Sequence, residues 1–167
     1  MKKLAVIFPG VGYTCTKPLL YYTASMAAER GYEIIRLDYG QDIHTFHGRT
    51  PAELEPIIKL AIKRTLPQLE NVPFSEYDDI IFISKSIGTT IAALQLKGKV
   101  HQFLMTPIPS TLRYLSDING LFFAGTADPY MPESKIRAAA RNFPDKTGGI
   151  FEGCNHSLEQ KGDTLGA

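Results

Sequence analysis

No stretch of this sequence stays apolar for long. The longest runs, "LAVIF" at 4–8 and "IIFI" at 80–83, are strand-sized and far short of the ~20 residues a membrane-spanning helix needs. No membrane partner is expected. Charge of one sign is not in excess: 18 Lys and Arg against 17 Asp and Glu leave a formal net charge of +1. There is no run of like charges. A nucleic-acid surface needs a clustered basic patch, so no nucleic-acid partner is expected. Cysteine is scarce. Cys15 and Cys154 are too few for a disulfide framework, and no Cys-x-x-Cys or Cys/His metal spacing accompanies them. They read as free thiols. Repeats, low-complexity tracts and linker-like segments are missing too. The 167 residues therefore read as one domain, 1–167, around one core. The N-terminus "MKKLAVIFPGVG" pairs two lysines with an apolar run. That run ends after about five residues, below the ~7–15 of a signal core. It reads as the first strand of a cytoplasmic protein.

What the sequence does have is alternation. Short apolar runs at Leu4–Phe8, Glu33–Leu37, Ile80–Ser84, Gln102–Met105, Leu121–Ala124 and Gly149–Phe151 read as strands. Few polar residues interrupt them, as expected when helices cover both faces of a sheet. The segments between carry helix signals. Thr50, Pro51 and Glu53 form a capping box with proline at the first helical position. Leu54, Ile58, Ala61, Ile62, Leu66 and Leu69 then fall on one face. Pro18 and Gly31 bracket a second helix, and Gly98 ends a third that follows Ser86. A fourth begins near Pro132 and buries Ile136, Ala139, Ala140 and Phe143. The pattern predicts a three-layer α/β/α sandwich with a mostly parallel six-stranded sheet. Ligands bind at the carboxyl edge of such a sheet. A functional residue should therefore follow a strand, not precede one.

The stretch "SKSIG" (84–88) stands where a strand turns directly into a helix. In such a tight turn the central side chain is lifted above the sheet, and residues two positions away must be small. Ser86 has Ser84 and Gly88 at those positions. A turn centred on Ser84 would place Phe82 at a crowded point. Ser86 is thus the candidate nucleophile. Its alternative role is to cap the following helix.

A serine hydroxyl needs a base, and the base needs an acid. The chain has four histidines. His101 precedes a strand. His44 and His47 follow the second strand and read as a solvated loop. His156 follows the last strand and passes. Among the acids, Asp117 and Asp145 precede strands, and Asp38 and Asp42 lie beside the second strand. Asp128 follows the strand in "LFFAGTADPYMP". The surviving order is Ser86, Asp128, His156, and Asp128 is expected to raise the pKa of His156.

With "SKSIG", "AGTADPYMP", "GCNHSLE" and the "FPGVGYT" loop in this order, nearly the whole chain resembles a small serine-dependent α/β-hydrolase. Ser84 stands where that family usually has glycine, and Pro9-Gly10 where His-Gly is common. The resemblance implies an α/β-hydrolase-like fold and an oxyanion hole built from the Val11 and Ile87 N–H groups. It also implies a reduced core of six strands without a helical lid. Only one short helix fits between Met105 and Leu121. The pocket should then be open, walled by Tyr13, Phe46, Pro107, Ile108, Tyr130 and Met131. Eleven residues follow His156, so a short or missing closing helix is expected. Cys15 and Cys154 should both border the site and lie near each other without doing chemistry. The expected function is hydrolysis of small carboxylic esters or thioesters through a Ser-His-Asp triad, with no metal or organic cofactor. The alternative is a non-catalytic small-molecule-binding protein on the same scaffold.

Overall fold

The computed structural model describes residues 1–48, 50–96 and 98–162. Six strands run as β1 Lys3–Phe8, β2 Tyr32–Arg36, β3 Asp79–Lys85, β4 His101–Met105, β5 Asn119–Gly125 and β6 Thr147–Phe151. The helices are α1 Pro18–Glu29, α2 Gln41–His44, α3 Pro51–Leu69, α4 Ile87–Ala93 and α5 Glu133–Asn142. The sheet order is β2-β1-β3-β4-β5-β6, and each neighbouring pair is parallel. Expected and observed strands coincide within one or two residues. The sheet is wholly rather than mostly parallel.

β1 explains why its run is apolar throughout. Leu4, Val6 and Phe8 enter the core under α3 and α4, while Ile7 enters the core under α1. Both faces of this central strand are dry, and Leu4 through Phe8 are each 0% exposed. Full burial of such side chains contributes about 1.5–3 kcal/mol each. α3, α4 and α5 lie over one face of the sheet and α1 over the other. Coverage on the α1 side is thinner. Ile81, Phe103 and Phe123 stay half-buried beside Met26 and Ala27, around a cavity of about 360 Å³.

α3 starts with the expected capping box. Thr50 Oγ1 accepts the Glu53 N–H at 3.2 Å, and Glu53 Oε2 accepts the Thr50 N–H at 2.8 Å. Its buried face is Ile58, Ala61, Thr65 and Leu69. Leu66, expected inward, is 53% exposed. Thr65 takes the inward position instead, because its hydroxyl bonds the Ala61 carbonyl at 2.8 Å and arrives satisfied. On α5, Ile136 and Ala139 are buried, while Ala140 and Phe143 are only partly so. Among the described residues, no helix is long and apolar enough to cross a membrane.

Candidate active site

All six strands deliver their carboxyl ends to one edge, and the β3–α4 turn stands near its centre. Gly88 makes this turn possible. A Cβ there would lie 2.4 Å from the Phe8 carbonyl oxygen and 2.6 Å from that of Pro9. α4 can therefore rest against the end of β1 only with glycine at that point. Ser84 is fully buried and takes the place of the other small residue. Between them, Ser86 has φ 55° and ψ −120°, a strained conformation for a residue with a side chain. Ser86 occupies the cap position of α4 but makes no cap hydrogen bond with its side chain. Its Oγ lies 2.8 Å from His156 Nε2 instead.

His156 follows β6, and its Nδ1 lies 2.6 Å from Asp128 Oδ2. The buried carboxylate can only accept, so Nδ1 carries the proton and Nε2 accepts from the serine hydroxyl. Asp128 follows β5. Its side chain is 0% exposed, and its other oxygen accepts the Tyr130 N–H at 2.8 Å. The Tyr130 ring packs on the imidazole with centroids 4.6 Å apart. Side chains from three strand ends thus form one chain of hydrogen bonds, Ser86 to His156 to Asp128.

The electrostatics correct one expectation. The pKa of His156 lies below its usual value, not above it. Burial is the largest cause. The Asp128 hydrogen bond pulls the other way, and the Lys85 charge adds to the lowering. Lys85 is itself 1% exposed. Burial drives its pKa down to about 7, with the charge of Asp128 opposing. Its Nζ donates to the His156 carbonyl oxygen at 2.7 Å and sits 4.8 Å from the centre of the Tyr13 ring.

The "PGVG" loop lies directly against the nucleophile turn. A Cβ on Gly10 would be 3.2 Å from Ser86 Cβ. The Gly10 N–H donates to the Tyr13 carbonyl and the Tyr13 N–H to that of Val11, at 2.9 and 2.6 Å. Among the described residues, the N–H groups of Val11 and Ile87 donate to no backbone carbonyl. Both residues line a cavity of about 300 Å³ with Ser86 and His156.

Of the expected pocket walls, Tyr13, Phe46, Ile108 and Tyr130 line this cavity. Pro107 and Met131 do not. Met131 is 1% exposed and packs into the core with Leu104 and Ile136. Pro107 is buried, and the positive φ of 45° at Thr106 turns the chain so that Ile108 reaches the cavity. Spacing along a loop does not say which side chain faces in. His47, Leu54 and Lys85 line the cavity without having been expected there. The signal for Lys85 was its place beside Ser86.

The other candidates are accounted for elsewhere. His44, expected in a solvated loop, stacks on Tyr39 with centroids 5.9 Å apart and bonds Asp38 at 3.2 Å. Asp42 pairs with Arg64 through contacts of 2.6 and 2.9 Å. The two thiols are not neighbours. Cys15 Sγ donates to the Leu37 carbonyl beyond β2, at 3.6 Å. Cys154 packs its backbone on Gly125 of β5. β1, β3 and β4 intervene, about 19 Å at ~4.8 Å per strand step.

No protein-family model and no curated protein matches the sequence. Solved structures do resemble the fold. An α/β serine hydrolase homologue from Coxiella burnetii aligns over 93% of this chain and 76% of its own, with TM-score 0.67 and 17% identity. An α/β serine hydrolase without a lid, from Xanthomonas campestris, aligns over 93% and 73%, with TM-score 0.57 and 12% identity. The Pyrococcus furiosus esterase Pf2001 aligns over 90% and 72%, with TM-score 0.58 and 13% identity. Together with the six-stranded parallel sheet, these likenesses give this chain the α/β-hydrolase fold.

Proposed function

We propose that this protein is a serine hydrolase of small carboxylic esters or thioesters. The observation that carries the reading is the hydrogen-bonded chain from Ser86 through His156 to Asp128, opening on a cavity. In the reaction, Ser86 Oγ attacks the substrate carbonyl carbon while Nε2 of His156 takes its proton. The tetrahedral oxyanion is held by the Val11 and Ile87 N–H groups. Ile87 begins α4, whose amino-terminal partial charge favours a negative oxygen. The imidazolium, oriented by Asp128, then gives its proton to the leaving alcohol or thiol. An acyl-serine remains. Water, deprotonated by His156, attacks it, and His156 returns that proton to Ser86 Oγ as the carboxylic acid leaves.

The lowered pKa of His156 suits a base at neutral pH, because the imidazole stays unprotonated. Ser84, standing where the α/β-hydrolase family usually has glycine, is fully buried, and the strained Ser86 turn forms beside it. A second cavity of about 480 Å³ shares Leu54, Ile108 and Tyr130 with the first, and Ile58, Ile62 and Leu94 extend its apolar wall. Its lining also holds Glu55, Lys59 and Arg113, and its apolar wall suits an apolar acyl arm. Incubation with p-nitrophenyl acetate tests the reading. Turnover by wild type and its loss in Ser86→Ala support it. A folded wild-type protein with no turnover of acetate, butyrate or octanoate esters, or of a thioester, contradicts it.

A further inference from the structure

Among the described residues, Lys85 and Asp128 are the only charged side chains in the core. Asp128 has its place in the reaction; Lys85 has none so far. Burying an ammonium costs several kcal/mol unless close partners compensate. Here the partners are a carbonyl oxygen and a ring face. The carbonyl belongs to His156 and the ring to Tyr13.

The segment around His156 is otherwise fastened to itself and to the β5 turn. Asn155 Oδ1 accepts the N–H groups of Ser157 and Glu159, at 2.8 and 3.1 Å. Cys154 bridges to Gln160, and Gln160 Nε2 donates to the Glu152 carbonyl at 3.0 Å. The Gly153 N–H donates to Thr126 Oγ1, and the Ala127 N–H to the Cys154 carbonyl, at 2.8 and 3.0 Å. None of these bonds reaches β3. Lys85 does, from the residue next to the nucleophile. Adjacent residues thus grip one histidine twice: Ser86 holds its ring and Lys85 its backbone.

We propose that Lys85 is a positioning residue, whose ammonium binds the His156 carbonyl and fixes the imidazole at reacting distance from Ser86. This role rests on the hydrolase reading. It carries an electrostatic consequence. A cation beside the imidazole disfavours imidazolium, and the Asp128 carboxylate favours it. Tyr13 also faces the ammonium, and Glu159 acts on Tyr13. Lys85 therefore helps keep His156 neutral and able to accept the serine proton.

Two substitutions separate the tether from the charge. Lys85→Met removes both. It should lower kcat for p-nitrophenyl acetate about 10–100-fold, as expected of misplaced catalytic groups, with KM within threefold. Lys85→Gln keeps a donor and drops the charge, so it should retain more of kcat than Lys85→Met. In both variants the ring titration of His156, followed by NMR, should move to higher pH than in wild type. That titration needs no turnover, so it tests Lys85 even if ester hydrolysis itself is absent. An unmoved titration overturns the proposal, as does a kcat within twofold of wild type in Lys85→Met. Loss of kcat with a lowered thermal midpoint and an unmoved titration marks a merely structural lysine and also overturns it. Should neither variant fold, NMR of wild type labelled with 15N-lysine reads the coupling in the native protein. A Lys85 Nζ shift that follows the His156 ring titration supports the tether, and a Lys85 Nζ shift indifferent to that titration contradicts it.

Discussion

Three side chains separated in sequence by 42 and 28 residues carry the proposed chemistry, and each contributes a different physical property. Ser86 supplies a hydroxyl on a strained turn, His156 a part-buried neutral ring, and Asp128 a carboxylate sealed from water. Ser86→Ala removes the nucleophile and should lower kcat at least about 10³-fold without changing the far-UV spectrum. The pH dependence has a definite sign. His156 must be unprotonated to act as base, and burial together with Lys85 holds its pKa below the usual 6.5. On the acid side, kcat/KM should therefore reach its half-point below pH 6.5. A half-point above 6.5 in folded protein contradicts this environment for His156. The positions of these three residues were legible in the sequence, because following a strand depends only on chain order. The direction of the His156 shift was not. It depends on burial and on Lys85 reaching the same residue, and neither is written in local spacing. Met131 escaped for a related reason: its neighbour Tyr130 faces the cavity while it faces the core.

At the scale of elements, the turn between β3 and α4 carries the site, and its glycine carries the turn. In Gly88→Ala the new methyl would meet backbone oxygens of Phe8 and Pro9, which cannot rotate away. Stability measured by denaturant unfolding should fall by about 1–3 kcal/mol, as overpacking typically costs. Ser84→Gly should do far less. Ser84 Oγ has only a long contact, 3.4 Å, with the Phe103 carbonyl. Ester turnover in that variant should stay within threefold of wild type. The strands were legible because runs of Ile, Val, Phe and Leu mark two-sided burial. Their ends were not, because hydrogen-bonded register rather than hydrophobicity decides where a strand stops. Leu66 shows the corresponding limit for helices. The inward stripe of α3 runs through Thr65, whose hydroxyl bonds the Ala61 carbonyl, and Leu66 beside it faces out.

At the scale of the whole molecule, α3, α4 and the 3₁₀ turn Pro109–Tyr114 bound the cavity that adjoins the catalytic one. If an acyl arm occupies it, octanoate esters should have higher kcat/KM than acetate esters. Leu94→Trp should reduce the octanoate-to-acetate ratio, and an unchanged ratio would place the acyl arm elsewhere. The parallel sheet and its six strands were legible from alternation and the right-handed crossover rule. The thinner cover on the α1 side was not, since a pattern of apolar residues does not reveal how much of a face a helix reaches. The most direct test asks whether Ser86 is an activated nucleophile. A fluorophosphonate probe bonds covalently to such a serine and can be mapped by mass spectrometry. Wild type should be labelled at Ser86, with labelling abolished in Ser86→Ala and strongly slowed in His156→Ala. Folded wild-type protein that takes up no probe, or takes it up equally after Ser86→Ala, would contradict Ser86 as the nucleophile.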